Sequence, residues 1–262
     1  MRKSVKVNKL SVVLFAFALA FAGAISPVQA DLPALNNGYY ICTSGEIDYD
    51  DNNITYTINH GVVTGGSGCS GTVVIPEGVT SIGAEAFSYA SLTSISIPAS
   101  VTSIGNSAFL NAANLETVSF AQGSQLELIG EWTFASATSL TSITIPASVT
   151  SIGAFAFRDD VNLETVSFAQ DSQLEVLAPW AFSYTPKLFS ITIPSSVTSI
   201  GDDAFTFTSI RDFYFLGNAP IEASPNGFSR AGIGATAHIR YSATGFGSES
   251  TWNALIIEVR DA

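Results

Sequence analysis

Few residues in this chain have the types and spacing that catalysis needs. His60 and His238 are its two imidazoles, and they stand far apart, one towards each end. A Ser–His–acid relay needs nucleophile, base and orienting acid within hydrogen-bond reach. A structural zinc needs clustered His or Cys ligands. Two isolated histidines supply neither. Gly245-Phe-Gly-Ser248-Glu-Ser250 lacks the last glycine of a nucleophile elbow. Carboxylates are plentiful, but nothing singles out a pair at a fixed separation, as glycoside hydrolysis requires. The expectation is therefore no enzyme, no cofactor and no resident metal.

Three local motifs have a bland reading beside the functional one. Gly66-Ser-Gly68-Cys-Ser-Gly71 fits a dinucleotide-type glycine pattern, yet Thr72-Val-Val-Ile75-Pro follows, a strand rather than a phosphate-binding helix. In Asp48-Tyr-Asp50-Asp51-Asn52-Asn53 the residues Asp48, Asp50 and Asn52 match the first ligands of a calcium loop. Asn53 and Asn59 stand where such a loop has glycine and glutamate, so a turn is the better reading. Cys42 and Cys69 are the two cysteines. A bridge between them would close a loop of about 28 residues, contributing roughly 3–4 kcal/mol in a chain-entropy model.

What must position any site is a repeat. Ile-Pro-x-x-Val-Thr-Ser-Ile-Gly occurs at 75–83, 97–105, 145–153 and 193–201, each copy followed by Ala-Phe ending at Phe87, Phe109, Phe157 and Phe205. Divergent copies at 115–134 and 163–182 replace Ile-Pro with Phe-Ala-Gln and carry two extra residues. Leu92–Ser139 and Leu140–Lys187 share 30 identities in 48 positions, the mark of a two-repeat duplication. Each unit opens with apolar residues alternating with Ser or Thr, the pattern of a half-buried strand. Pro98, Pro146 and Pro194 then end that strand for want of an N–H. No unit can bury its Leu, Ile, Val and Phe alone, whereas stacked units can.

The string Ile-Pro-x-x-Val-Thr-Ser-Ile-Gly-x-x-Ala-Phe resembles the BspA-like leucine-rich-repeat family of bacterial surface proteins, strongly over 72–209. Phe215-Leu-Gly-Asn-Ala-Pro220 and Thr244-Gly-Phe246 with Trp252 resemble, more weakly, the unit that ends such arrays. The resemblance implies a leucine-rich-repeat solenoid: β-rich, short parallel strands, irregular or short helical returns, capped at both ends. It also implies protein binding and adhesion, with partners docking on the strand face. It assigns no site residues.

The strand pattern itself sets two columns of outward hydroxyls. One is Ser94, Thr117, Ser142, Thr165 and Ser190, and the other is Ser96, Ser119, Thr144, Ser167 and Thr192. At about 4.8 Å per strand each column runs roughly 19 Å. Such a ladder could recognise a partner or could simply be solvated. Trp132, Phe155 and Trp180 recur at equivalent places, as a sugar-binding patch or, on the blander view, as packing between the longer repeats.

Residues 1–30 have the three parts of a secretory signal: Arg2, Lys3, Lys6 and Lys9, an apolar run over Leu10–Ala24, and a processing site ending at Ala30. The run is shorter than the roughly 20 residues of a membrane span. No later segment is that apolar, so no span is expected in the mature chain. Without the leader, six basic residues face 22 acidic ones, a formal balance of −16. Such a surface repels nucleic acid. An exported chain also favours the Cys42–Cys69 disulfide.

The expected organisation is a signal peptide at 1–30, an N-terminal hairpin cap with the disulfide at 31–71, the repeat body at 72–209 and a C-terminal capping unit at 210–262. Strands are expected at Ile54–Ile58, Phe213–Phe215, Ala237–Tyr241 and Leu255–Val259. The functional expectation is an exported, non-catalytic binding protein, secreted, cell-surface or periplasmic, that recognises a protein or glycan, adhesion included. The alternative is a structural or self-associating envelope component with no specific ligand. Oligomeric state is not set by the sequence.

Overall fold

The structure, a computed structural model, describes residues 38–41, 55–247 and 250–260. The signal peptide, Cys42, Asp48–Asn53 and the turn of the expected N-terminal hairpin lie outside the described residues.

Three strands come first: β1 (Gly38–Ile41), β2 (Thr55–Asn59) and β3 (Val62–Thr64), paired antiparallel in the order β1-β2-β3. Each later turn of the chain then gives one longer strand and one of two residues. These are β4 (Ser70–Val74) with β5 (Ser81–Ile82), β6 (Ser91–Ile97) with β7 (Ser103–Ile104), and β8 (Thr117–Phe120) with β9 (Leu128–Ile129). The next are β10 (Ser142–Ile145) with β11 (Ser151–Ile152), β12 (Thr165–Phe168) with β13 (Val176–Leu177), β14 (Ser190–Ile193) with β15 (Ser199–Ile200), and β16 (Asp212–Phe215) with β17 (Glu222–Ala223). Last come β18 (Thr236–Arg240), β19 (Thr251–Trp252) and β20 (Leu255–Arg260).

The result is a parallel β-solenoid of about nine turns. The short strands continue from β3 as one sheet, β3-β5-β7-β9-β11-β13-β15-β17. The long strands stack beside one another as three ladders, β4-β6-β8, β10-β12 and β14-β16-β18-β20-β19, the last pair antiparallel. The period-2 pattern is obeyed: Ile143 and Ile145 point in, Ser142 and Thr144 point out.

The third side is not helical, and no helix occurs among the described residues. Short helical returns were one expectation, but two residues in each of the six turns from Glu85 to Phe207 have positive φ. Ser107 (57°) and Asn111 (56°), Phe155 (59°) and Asp159 (62°), and Trp180 (61°) and Tyr184 (58°) are examples. A right-handed helix cannot include them. Their benefit is to the main chain, because the alternation aims N–H groups along the solenoid axis. Ser107 N–H donates to Glu131 O at 2.8 Å, Phe109 N–H to Thr133 O at 2.8 Å and Asn111 N–H to Ala135 O at 2.9 Å. Buried amides that would otherwise go unpaired are thereby satisfied.

Between these walls lies one continuous core. In a single repeat Leu92, Ile95, Ile97, Val101, Ile104 and Phe109 are all buried. Phe87, Phe109, Phe134, Phe157, Phe182 and Phe205 form a column of near-parallel rings with centroids 5.1–5.8 Å apart. Gly66 is part of this packing, since a Cβ there would collide with the Phe87 ring. Its glycine therefore has a structural use, and a strand follows it.

Candidate recognition surface

All ten hydroxyl residues expected on the strand face lie on long strands. Ser94 pairs with Thr117 and Ser96 with Ser119. Ser142 pairs with Thr165 and Thr144 with Ser167. Ser190 and Thr192 pair onward with Asp212 and Tyr214. Eight of the ten are exposed, while Ser94 and Ser96 are half-buried. At the N-terminal end the hydroxyls bind one another: Ser94 Oγ donates to Thr72 Oγ1 at 2.9 Å, and Ser119 Oγ to Ser96 Oγ at 3.1 Å.

The columns are interrupted rather than continuous. No ladder joins β8 to β10 or β12 to β14. Both breaks follow a strand ending in the longer Phe-Ala-Gln connection, Phe120-Ala-Gln122 and Phe168-Ala-Gln170. At the first break the strands and this connection enclose a groove of about 510 Å³, lined by Thr117, Ser119, Phe120, Gln122, Ser142 and Thr144 among others. Four of the ten expected residues thus share one concavity of ligand-pocket size.

The register extends the columns into residues that sequence reasoning did not single out as a site. Asp212 and Tyr214 on β16 are followed by Thr236 and His238 on β18 and by Ile256 and Glu258 on β20. His238 is buried, with Nε2 2.5 Å from Asp212 Oδ1 and Nδ1 2.9 Å from Glu258 Oε2. Its ring stacks on Tyr214 at 4.7 Å, and the Arg260 guanidinium lies 5.7 Å from the Tyr214 ring. The signal available in sequence was period 2: in Asp-Phe-Tyr-Phe and Thr-Ala-His-Ile alternate residues share the face of the hydroxyl columns, where His238 is covered by its neighbours.

On the turn side Trp132 stacks on Phe155 at 4.2 Å and Phe155 on Trp180 at 6.1 Å. Arg158 lies 5.3–6.0 Å from the rings of Trp132, Phe155, Trp180 and Tyr184. These rings cover each other's faces, which is packing rather than an open platform for a sugar. Among the described residues no group of three His, Cys, Asp or Glu could hold a metal ion. Asp159 is half-buried, whereas its neighbour Asp160 turns inward. It is fully buried, Oδ1 accepts the Ala137 N–H at 2.8 Å, and Oδ2 has no hydrogen-bond partner. Burial is the first cause that holds its carboxyl well above the usual carboxylate range. Cys69 is buried in the core.

Stacked turns, an inward Leu/Ile/Val/Phe set and paired parallel strands define the leucine-rich-repeat class of solenoid. The chain belongs to the BspA type leucine rich repeat family, whose repeat region matches in six copies over residues 67–173 and 122–229. None of the curated proteins matches it. Among solved structures, the pneumococcal vaccine antigen PcpA is similar at 24% identity with a TM-score of 0.55, over 76% of this chain and 53% of that one. This chain therefore spans about half the length of that antigen. A T. pallidum leucine rich repeat protein is similar at 20% identity and TM-score 0.43, over 88% of this chain and 81% of that one. A leucine-rich repeat protein from Bacteroides ovatus is similar at 24% identity and TM-score 0.39, over 88% and 67%. Likenesses at this identity show the fold alone. No described helix is long and apolar enough to cross a membrane.

Proposed function

We propose that this chain is an exported, non-catalytic binding protein whose strand face receives a protein or glycan partner, with adhesion among its uses. The groove between β8 and β10 carries the reading, because Thr117, Ser119, Ser142 and Thr144 line it together. Small hydroxyls around an apolar floor suit a partner that brings its own bulky groups. The leader at 1–30 supports export to the surface or medium. In that compartment Cys42 and Cys69 form a disulfide, the strands before β4 cap one end, and 210–262 cap the other.

The test is retention of the purified mature protein on immobilised matrix proteins, envelope proteins and polysaccharides. The paired variant Ser119→Arg with Thr144→Arg, which fills the groove, is run beside it. A retained partner whose affinity falls about tenfold or more in the variant supports the site, as expected for a central contact. Equal affinity places recognition on another face, and retention by nothing in the panel removes the reading.

A second reading is self-association. Ile221, Ile233 and Tyr241 are exposed by 85%, 102% and 85% in the connections of the C-terminal unit. Light scattering over a concentration series distinguishes the two: a mass rising with concentration, lost in Ile233→Asp, favours assembly.

A further inference from the structure

The strand face carries only Ser and Thr from Ser94 to Thr192, whereas the Asp212–His238–Glu258 cluster on β16, β18 and β20 is charged, and its geometry is asymmetric. His238 sits on β18 between β16 and β20, and its side chain is 4% exposed. Each ring nitrogen meets a carboxylate. Nε2 is hydrogen-bonded to Asp212 Oδ1, whereas the Nδ1 contact with Glu258 Oε2 at 2.9 Å is close but lacks hydrogen-bond alignment. The other groups facing the ring are Tyr214, stacked on it from β16, and Arg260 on β20, 3.5 Å from Glu258. Arg240 on β18 pairs in register with Arg260.

An imidazolium has two N–H donors, but a neutral imidazole has one donor and one lone pair. Two carboxylates against two ring nitrogens are satisfied together only in the charged form. We propose that His238 is a pH-dependent latch on β20, the last long strand of the solenoid. In mildly acid solution the charged ring holds both carboxylates. When the ring loses a proton, the aligned bond to Asp212 keeps the remaining N–H, and Glu258 is left facing a lone pair. The release therefore falls on β20 and not on β16. The latch holds while the ring is charged and both carboxylates are ionised, and it opens when either charge is lost. An exported protein meets such changes in its medium.

The test is hydrogen exchange of the intact mature protein at about pH 5.5 and about pH 8, corrected for intrinsic exchange rates, with the two histidine resonances followed by NMR. Glu258 is half-exposed, so the effect is that of a partly screened pair. Protection of residues 255–260 should fall about threefold at the higher pH, in step with one histidine resonance, while 212–215 stay unchanged. Glu258→Gln presents a neutral amide that fits either ring form and should abolish the step without unfolding the strand. His238→Gln identifies the resonance. Equal protection of β20 at both pH values overturns the proposal, as does a pH step that persists in Glu258→Gln.

Discussion

The strand face and the turn face are built from the same repeats and satisfy the same main-chain requirement by opposite means. On the strand side extended residues donate backwards, as Ala121 N–H, next to β8, does to Ile97 O of β6 at 2.9 Å. On the turn side residues at positive φ donate forwards, as Trp132 N–H does to Ala154 O at 2.9 Å. The outward residues differ accordingly. Every unit from Ser94 to Thr192 carries Ser or Thr on the strand face. The first positive-φ position of the turns carries Glu85, Ser107, Trp132, Phe155, Trp180 and Asp203. Left-handed backbone costs roughly 1–2 kcal/mol per non-glycine residue, and bulky rings are unusual there. The axial hydrogen bonds and the Trp132–Phe155–Trp180 stack offset that cost. The turn face thus holds strain that the strand face lacks.

Both faces rest on the phenylalanine column, and removing one ring should damage them equally. Phe157→Ala deletes the ring between Phe134 and Phe182, at 5.3 and 5.1 Å. A loss of about 3–5 kcal/mol is expected by denaturant unfolding. In a stacked array the damage should propagate to neighbouring turns only. Exchange protection falling in the turns that carry β8 to β13, on both faces, while β4 holds would bear this out. Loss confined to one face would break the idea that the two share a core.

How much of this was legible follows from which signals have a period. The Ile-Pro-x-x-Val-Thr-Ser-Ile-Gly string announced the stacking, and strands expected at 213–215, 237–241 and 255–259 appear as β16, β18 and β20. The ten hydroxyl residues of the two columns all lie on long strands, eight of them exposed. The two-residue strands at Ser-Ile were not seen as strands, because period 2 needs several residues to show. The positive-φ turns were hidden because Trp132, Phe155 and Glu85 stand where Gly or Asn would have signalled them. The breaks after β8 and β12 depend on where two extra residues go in space. Nothing in Asp159-Asp160 says which acid turns inward, and His238 stood in a unit whose repeat pattern had faded.

Asp160 sharpens the comparison at a buried point beneath the turn face. The equivalent positions hold Ala137 and Thr185, and Thr185 Oγ1 donates to Phe182 O at 2.8 Å. Asp160→Thr should make the same bond to Phe157 and remove a buried carboxyl with one unpartnered oxygen. A gain of about 1–2 kcal/mol is expected near neutral pH. The carboxyl's folded value is raised, so its contribution is fully present below the unfolded value near 4 and lost as pH rises through the folded one. The variant's advantage should therefore shrink in acid and vanish below about pH 4. A gain independent of pH would mean that Asp160 is not held protonated by burial.

The smallest effect is the most direct contrast, because one substitution should change sign between the faces. Ser107 has φ 57° on the turn face, and Ser119 is extended on β8, bonded through Oγ to Ser96 and Ile95. Glycine adopts positive φ without a Cβ penalty, so Ser107→Gly relieves strain that outweighs glycine's larger unfolded-state entropy. It should stabilise by about 0.5–1 kcal/mol. Ser119→Gly gains nothing from the backbone, loses two hydroxyl contacts and weakens a strand. It should cost about 1 kcal/mol. Denaturation midpoints that move in opposite directions would locate the strain on the turn face. Midpoints that both fall would mean that the turns are unstrained as built, and that the rings at Trp132 and Phe155 need no compensation from their neighbours.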